Sequence, residues 1–498
     1  MKPGRLACAL AALALLGPAC TAPTPAPPVA PTPAPPAPAP GAERGTPGWE
    51  ITHPGPEHAI EGYADRTSAL PGDIVRLFVS TTAARFTVTA FRMGAYAGSD
   101  ALRVWQSAPV PGRVQAPAVV QAPTSTVVAP WQPSLEVPTR GWAPGDYLLR
   151  LDGDNQAQQY VPLTVRTPSN AGRIVLVNAV TTWQAYNRWG GYSLYDSPSG
   201  RKAQRSRAVS FDRPYQARDM RGAGDFLYFE LPMARFAESL GLPLGYATDV
   251  DLHADPHLLD GARAVIILGH DEYWSSAMRA NVTAARDRGV NLAFLGGNEI
   301  YRHIRFAPSA TGPDRVEIDY KSFGEDPARL TDPLEATPEW RSPPYPRPES
   351  VLLGNFYQCN PVHADLVAAA EQNWLLAGIV HTGQHLRGLV GDEYERVDLA
   401  VPTPRPIEVL FHSPVTCGGK PDFADTTYYT TSSGAAVFSA GTQYWICGLD
   451  PGCPQSGGDA AAGAAIRAIT ERLLRAYAAG PTGAAHPAAD NLAALGIH

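Results

Sequence analysis

The stretch ARAVIILGHDEYWSSAMRANVTAARDRGVNLAFLGGN, residues 262–298, decides the fold class. Its two largely apolar runs, residues 264–269 and 290–296, are typical of strands that are buried on both faces of a parallel sheet. The residues between them have helical spacing, with Ser275 as the expected N-cap and Gly289 at the end. Strand, helix and strand in this order predict a right-handed βαβ unit, and therefore an α/β domain.

The flanking sequence extends this α/β domain over residues 171–480, with a tail at 481–498. Residues 306–350 are rich in Pro, Asp and Glu and have no clean period. We interpret them as an excursion over the sheet edge, with a lid as one role. The other predicted elements are strands at 173–178, 385–391 and 407–413, helices at 229–242 and 463–480, and a hairpin at 426–440 that turns at 432–434.

Residues 48–166 have a different pattern. The segments at 73–94 and 145–165 alternate apolar and polar residues, with turn residues between the runs. Period-two alternation is typical of antiparallel strands. We therefore predict an N-terminal all-β domain, an immunoglobulin-like β-sandwich that precedes the α/β domain.

The first residues predict export. Residues 1–20, MKPGRLACALAALALLGPAC, combine two basic residues with an apolar run that is too short to span a bilayer, which is typical of a signal peptide. Their end resembles a lipobox, so both a lipid anchor on Cys20 and simple cleavage stay open. Residues 21–47 are a Pro/Ala-rich linker. We expect a cell-surface lipoprotein or a secreted protein, with Cys20 as its only membrane attachment.

Composition narrows the class of protein. The chain has 498 residues, 44% of them hydrophobic and 17% charged, with a formal net charge of -7. These values fit a soluble globular protein and argue against nucleic acid as a partner. In an exported chain, four cysteines downstream of the signal favour disulfides, with Cys447–Cys453 as the first choice and Cys359–Cys417 as the second. A zinc site made by all four is the alternative.

Three polar and aromatic segments follow the three predicted parallel strands. They are residues 177–195, VNAVTTWQAYNRWGGYSLY, residues 269–275, GHDEYWS, and residues 296–306, GGNEIYRHIRF. Because the carboxyl ends of parallel strands meet at one edge of a sheet, we expect a pocket there. The simpler interpretation is that Tyr273 and Trp274 pack over the next helix, while Asp271 and Glu272 interact with its positive end.

The chemistry of this edge points to a metal. The turn at 296–299 has neither Ser nor Cys, and the chain has no G-x-S-x-G, H-E-x-x-H, P-loop or dinucleotide motif. An oxygen-rich donor set favours a hard metal ion, and ionised tyrosine favours ferric iron. The candidate donors are His253, His257, His270, Asp271, Glu272, Tyr273, Glu299, Tyr301, His303, Asp392, Glu393 and Glu395.

Five motifs in order along the chain resemble the large (beta) subunit-like family of N,N-dimethylformamidase. The motifs read TTWQAYNRWGGYSLY, ILGHDEYWS, LAFLGGNEIY, GLVGDEYERV and TTYYTTSSGAAVFSAGTQYW. The resemblance covers about residues 173–477 and, more loosely, the predicted β-sandwich before them. The resemblance implies a class I glutamine amidotransferase-like (flavodoxin-like) domain without the catalytic cysteine. It also implies a mononuclear non-haem Fe(3+) held by Tyr273, Tyr301 and Glu393. Such an ion would polarise an amide carbonyl and activate a bound water.

From this resemblance we expect an iron-dependent hydrolase of a small-molecule amide, with His270, Asn298 and Glu299 in its catalytic pocket. Arg302 and Gly391 depart from the family pattern, and the family's general-base glutamate and its neighbouring lysine have no clear counterpart. A homo-oligomer or a small partner subunit is expected. The alternatives are a non-catalytic cell-surface or glycan-binding protein that keeps the fold, and a structural envelope component.

Overall fold

A computed structural model of the chain describes residues 43–450, 453 and 458–498. The predicted signal peptide, Cys20 and the linker up to residue 42 lie outside these residues. The described residues belong to one compact unit, which is mostly β-sheet, with several sheets and few helices. Of the helices in the described ranges, none combines the length and the apolar character that a membrane crossing requires.

The N-terminal part is built of strands. The antiparallel sheet β1–β3–β9 faces a second sheet of order β2–β11–β10–β4–β5, in which β6 pairs with β4; β7 and β8 form a separate pair. These strands are β1 (Ile60–Ala64), β2 (Ser68–Ala69), β3 (Ile74–Thr81), β4 (Arg85–Tyr96), β5 (Ser99–Gln106), β6 (Val110–Pro111), β7 (Val119–Gln121), β8 (Thr126–Val128), β9 (Leu135–Pro138), β10 (Gly145–Gly153) and β11 (Gln158–Val165).

Alternation explains the core between these two sheets. Every second residue of β3 faces inward, and so does every second residue of β10, so the two sheets share one apolar cluster. The residues that meet there include Val75, Leu77, Val79, Tyr147, Leu149 and Leu151. This arrangement agrees with the all-β N-terminal region that the sequence predicts.

The remaining elements belong to the region predicted as α/β. Up to residue 307 they are β12 (Ile174–Asn178), α1 (Val180–Tyr186), β13 (Ala208–Ser210), α2 (Phe226–Phe229), α3 (Leu231–Ser239), β14 (Leu244–Thr248), α4 (Asp249–Ala254), β15 (Ala264–Gly269), β16 (Tyr273–Ser275), α5 (Ser276–Asp287), β17 (Asn291–Gly296) and β18 (Arg302–Ala307). The later ones are β19 (Val316–Ile318), α6 (Ser350–Leu353), β20 (Phe356–Cys359), β21 (Ala364–Val367), β22 (His385–Val390), β23 (Tyr394–Arg396), β24 (Ile407–Cys417), β25 (Lys420–Thr430), β26 (Ala436–Ser439) and α7 (Ala460–Ala479).

A seven-stranded sheet of order β14–β12–β15–β17–β26–β25–β24 organises this region. The pairs from β14 to β26 are parallel, and the last two strands form an antiparallel hairpin on β26. The βαβ unit β15–α5–β17 is therefore confirmed. Ser275 caps α5, because its side chain accepts a hydrogen bond from the Met278 amide at 3.2 Å.

Apolar residues cover both faces of this sheet, which explains the continuous apolar runs. In β12, Ile174 and Leu176 pack on the side of α3 and α7. Val175 and Val177 pack on the opposite side, with α4 and α5. Each large aliphatic side chain buried in this way contributes roughly 1.5–3 kcal/mol.

Four details differ from the sequence prediction. Strand β14 at the sheet edge was not predicted, and residues 273–275 form strand β16, parallel to β18, where a polar turn was expected. Strand β22, predicted at 385–391, pairs with β21 outside the large sheet. Part of the predicted excursion forms β19, which pairs with β18 and β13.

Both predicted disulfides are confirmed. Cys359 is bonded to Cys417, with 6.3 Å between their Cα atoms, and Cys447 is bonded to Cys453, with 5.2 Å. The zinc alternative is wrong, because all four sulfurs are used in these two bonds.

Candidate functional site at the carboxyl ends of the parallel strands

The three segments after β12, β15 and β17 meet, as the sequence predicts. The turn after β15 is joined to the turn after β17, because the Asp271 amide donates to Glu299 Oε2 at 3.1 Å and the Ile300 amide donates to the Asp271 carbonyl at 2.9 Å. It is joined to the segment after β12 by the Glu272 amide, which donates to Thr182 Oγ1 at 3.0 Å.

The buried carboxylate of Glu272 is the centre of the polar contacts. It accepts hydrogen bonds from the Tyr186 hydroxyl at 2.7 Å and from the Tyr195 hydroxyl at 3.0 and 3.1 Å. Arg302 Nε lies 3.5 Å from it, and His270 Nε2 lies 3.6 Å from it. Tyr186 and Tyr195 belong to the aromatic segment after β12, but the sequence does not show that both hydroxyls bind the Glu272 carboxylate.

The Tyr273 phenol lies next to this carboxylate group, whereas the neighbouring Trp274 packs in the apolar cluster of the sheet. The Tyr273 hydroxyl donates to the Tyr195 hydroxyl at 2.6 Å and accepts from Lys321 Nζ at 2.8 Å. Burial, and then the Glu272 carboxylate, raise the pKa of Tyr273 well above its usual value. Ionising this phenol at neutral pH therefore requires a strong Lewis acid.

Lys321 is a site residue that the sequence reasoning missed. It comes from the predicted excursion, and its Nζ lies 3.2 Å from the centre of the Tyr195 ring. Burial, and then the charge of Arg302, lower its pKa to about 7. The only sequence signal is its rarity, because lysine also occurs only at positions 2, 202 and 420.

Glu393 and His270, both predicted, are in contact. His270 Nε2 lies 3.2 Å from Glu393 Oε2. Glu393 also accepts hydrogen bonds from Asn360 Nδ2 at 2.6 Å and from Gln443 Nε2 at 2.9 Å. Burial lowers the pKa of His270, but Glu393 and then Glu272 outweigh it and raise the pKa to about 9. The imidazole is therefore protonated between two carboxylates at neutral pH.

Tyr301, the second predicted tyrosine ligand, is surrounded by cations and a ring. The guanidinium of Arg302 lies 4.6 Å from its ring centre, that of Arg341 lies 5.0 Å away, and the Tyr357 ring centre is also at 5.0 Å. Burial raises the pKa of Tyr301, although Arg302 acts against it. Arg302 links Tyr301 to the Glu272 carboxylate.

The other two predicted pocket residues, Asn298 and Glu299, are buried in the turn after β17. Asn298 has a left-handed backbone with φ of 58°. Glu299 joins two turns, since its carboxylate accepts from Asp271 and its amide donates to Glu395 Oε1 at 3.0 Å. Burial, followed by the charges of Asp271 and Glu395, raises the pKa of Glu299 well above its usual value. Its contacts are those of a neutral acid that holds the turn.

The donor chemistry of Tyr273, Tyr301 and Glu393 fits a ferric ion. The charge of Arg302 favours the ionised form of both phenols, although burial outweighs it, and the Glu393 carboxylate is held by two side-chain amides. Across residues 43–450, 453 and 458–498, no three His, Cys, Asp or Glu side chains are grouped to hold a metal ion. The predicted set has one such residue, so any metal here depends on phenol oxygens.

Comparison with known proteins identifies one family. The sequence model described as "N,N-dimethylformamidase beta subunit-like, C-terminal" matches residues 87–457. No curated protein matches the chain. One solved structure with some likeness is a Paenibacillus sp. cycloisomaltooligosaccharide glucanotransferase complexed with cycloisomaltoheptaose. It is 11% identical over 49% of this chain and 28% of its own length, with a TM-score of 0.15, which is too low to indicate a common fold.

Proposed function

The chain belongs to the N,N-dimethylformamidase beta subunit-like family, and we propose that it is an exported, iron-dependent hydrolase of the carbon–nitrogen bond of a small amide. The observation that carries the proposal is the Tyr273 phenol at the meeting point of three strand-end segments, with Lys321 Nζ 2.8 Å from its oxygen. Neither a packing role nor a helix cap explains why a buried lysine amine donates to this hydroxyl.

Tyr273, Tyr301 and Glu393 would hold a ferric ion, which would supply Lewis acidity to an amide carbonyl and a bound water. Lys321 stabilises negative charge on the Tyr273 oxygen. Asn360 and Gln443 fix the orientation of the Glu393 carboxylate. His270 holds a proton at Nε2 between Glu272 and Glu393, where it is available to the nitrogen of a departing amine.

The strand order supports an amidotransferase-like domain for residues 171–480. Numbered along the chain, the five parallel strands β12, β14, β15, β17 and β26 lie in the order 2-1-3-4-5. This is the order of flavodoxin-like folds, which bind ligands beyond the carboxyl ends of their strands. The proposal also includes a separate β-sandwich at residues 48–166. It includes export directed by residues 1–20. The protein would act as a homo-oligomer or with a small partner subunit.

Amine release from N,N-dimethylformamide and from acetamide tests the function. We expect purified full chain loaded with ferric iron to release amine or ammonia, and Tyr273→Phe to lower kcat/KM by at least about a hundredfold, because one metal ligand is lost. Tyr428→Phe is the matched control, because Tyr428 is equally buried but donates to the His486 carbonyl. Iron-loaded protein that hydrolyses neither amide would argue against the substrate class.

A groove on the N-terminal region favours a second candidate function, non-catalytic glycan binding. It has a volume of about 290 Å³ and is lined by Thr87, Thr89, Arg103, Gln106 and Arg150, among others. Hydroxyl, amide and guanidinium groups on one face suit sugar hydroxyls. Binding of the full chain to a glycan array, lost in Arg103→Ala, would support this candidate, and an array without signal would count against it.

A further inference from the structure

Tyr357 of β20 lies beside the proposed iron ligands without belonging to them. Its ring centre is 5.0 Å from that of Tyr301, and the two rings are tilted by 56°. In the pairing of β20 with β23, Tyr357 lies opposite Glu395, two residues after Glu393. Tyr357 is therefore next to the second proposed phenol ligand and to the segment that carries the proposed carboxylate ligand.

The Tyr357 hydroxyl is both free and accessible. Among the residues that the structure describes, no group forms a hydrogen bond with it, and its oxygen is not one of the unpaired polar atoms that are fully buried. The Tyr195 and Tyr273 hydroxyls differ, because both are bonded within the protein. A small molecule at the site can therefore reach the Tyr357 hydroxyl without displacing an existing bond.

The position of this hydroxyl is set before a ligand arrives. The Tyr357 carbonyl accepts from Arg341 Nη2 at 2.8 Å. Strand β20 is paired with β23 and attached to β24 by the Cys359–Cys417 bond. The side chain itself is half-buried against the Tyr301 ring. A donor held in this way loses little conformational freedom on binding, so its hydrogen bond adds to the affinity.

Several neighbouring donors are already used within the protein. The Lys321 ammonium donates to Tyr273, and two side-chain amides donate to Glu393. Tyr301 would lose its hydroxyl proton on binding iron. Burial, and then the Glu393 carboxylate, raise the pKa of Tyr357 above its usual value, so its hydroxyl keeps its proton at neutral pH. Tyr357 therefore remains a donor at the site.

We propose that the Tyr357 hydroxyl binds the substrate, by donating a hydrogen bond to the carbonyl oxygen of a small amide. This inference rests on the proposed function and adds a substrate contact to it. A tertiary amide has no N–H group, so its carbonyl oxygen is the one strong hydrogen-bonding group that it offers. The bond to this oxygen strengthens as the oxygen gains negative charge during hydrolysis.

Binding of N,N-dimethylformamide to the purified full chain, treated with a chelator to prevent turnover and followed by ligand-detected NMR, tests the proposal. We expect saturable binding with a millimolar Kd, as a ligand with few atoms allows. Tyr357→Phe should weaken it by about fivefold, because one hydrogen bond is lost. Equal binding by the variant and the parent, or no saturable binding by the parent, would overturn the proposal.

Tyr192→Phe is the matched control. Tyr192 is also half-buried, and within the described part of the chain its hydroxyl has no hydrogen-bond partner either. It packs in a different cluster, with Trp131 and Trp189. This variant should bind N,N-dimethylformamide as the parent does, and a loss equal to that of Tyr357→Phe would overturn the assignment of the contact to Tyr357.

N,N-dimethylthioformamide separates a lost hydrogen bond from a change in the shape of the site. Its sulfur is a weaker acceptor than the amide oxygen. The preference of the chain for the amide over the thioamide should therefore fall by about fivefold in Tyr357→Phe and stay unchanged in Tyr192→Phe. A Tyr357→Phe variant that weakens both ligands by the same factor would indicate a structural role and overturn the proposal.

Iron content and hydrolysis separate this proposal from the proposed function. Tyr357→Phe should keep the iron and the tyrosinate-to-iron absorption of the parent, and their loss would make Tyr357 a metal ligand and overturn the proposal. On the iron-loaded chain, the variant should lower kcat/KM by about 10- to 100-fold. A parent chain that hydrolyses neither amide, yet binds N,N-dimethylformamide through Tyr357, would refute the hydrolase and support the contact.

Discussion

Tyr273 is the residue that separates the two interpretations of the turn after β15, a functional site or only the start of helix α5. Ser275 caps α5 and Trp274 packs in the core, so neither of them needs a tyrosine before it. The Tyr273 hydroxyl instead connects Lys321 with Tyr195, and Tyr195 connects with Glu272. This path of hydrogen bonds through a buried region is the physical reason why we propose Tyr273 as a ligand.

At the same scale, Lys321 gives a sharp prediction. Lys321→Met keeps the length of the side chain but removes the ammonium that stabilises charge on the Tyr273 oxygen. We expect iron affinity or kcat/KM to fall by about 10- to 100-fold, since partners of metal ligands have effects of this size. Iron titration and amine release measure the two quantities.

Lys202→Met is the control for this prediction, because Lys202 is an exposed lysine in a short turn. Equal iron affinity and equal kcat/KM in both variants would show that the Lys321 contact has no functional role.

The strands and helices explain which parts of the fold the sequence predicts. Buried parallel strands have apolar runs because both faces are covered, and β12, β15 and β17 follow this rule. Strand β14, LGYAT, lies at the sheet edge and contains a glycine and a threonine, so its pattern is too weak to identify. Strand β16 exists only because β18 lies beside it, which is a tertiary effect.

Element-scale stability depends on the disulfide between β20 and β24. The Cys359–Cys417 bond spans 58 residues and attaches β20 to β24. Strand β20 pairs with β23, and β23 begins at the residue after Glu393. We expect the double change Cys359→Ser with Cys417→Ser to lower the free energy of unfolding by about 2–4 kcal/mol. Iron affinity should fall as well, because the strand that follows Glu393 loses its attachment.

Chemical denaturation and iron titration check this prediction. Removal of the short Cys447–Cys453 link serves as the comparison, because that link lies away from Glu393 in the sequence and closes only 6 residues. A larger loss of iron affinity from the short link would contradict the account of Glu393.

The whole molecule depends on the junction between its N-terminal strands and the α/β region. Asp146 and Asn178 connect the two through a buried hydrogen bond. Burial raises the pKa of Asp146 to about 6. Because the folded protein holds this proton more tightly than the unfolded chain, Asp146 contributes stability that is complete below about pH 4. This contribution is lost as the pH rises through about 6.

Asp146→Asn should remove this pH dependence. The free energy of unfolding of the variant minus that of the parent is therefore expected to rise between pH 4.5 and pH 7.5. The rise is at most about 3 kcal/mol, because the pKa of Asp146 is raised by about two units and each unit corresponds to 1.36 kcal/mol. Urea unfolding at the two pH values measures the difference, with the half-exposed Asp152→Asn on the same strand as the control. A constant difference between variant and parent would contradict the buried-acid account.

At this scale the limits of sequence reasoning are also visible. The sequence places Tyr273 and Asn298 at one sheet edge because the carboxyl ends of parallel strands coincide. It does not place Lys321 there, because residues 306–350 have no hydrophobic periodicity from which their position relative to the sheet could be predicted. The cavity that Asp146 and Arg213 help to line likewise requires the packing of segments that are distant in the sequence.

The central claim is that two tyrosines and one glutamate hold iron, and the metal content of freshly purified full chain tests it most directly. The account predicts about one ferric ion per chain, with a visible tyrosinate-to-iron absorption band that is lost in Tyr273→Phe and kept in Tyr428→Phe. Colourless protein that contains no iron and takes up none from added ferric salt would contradict the claim.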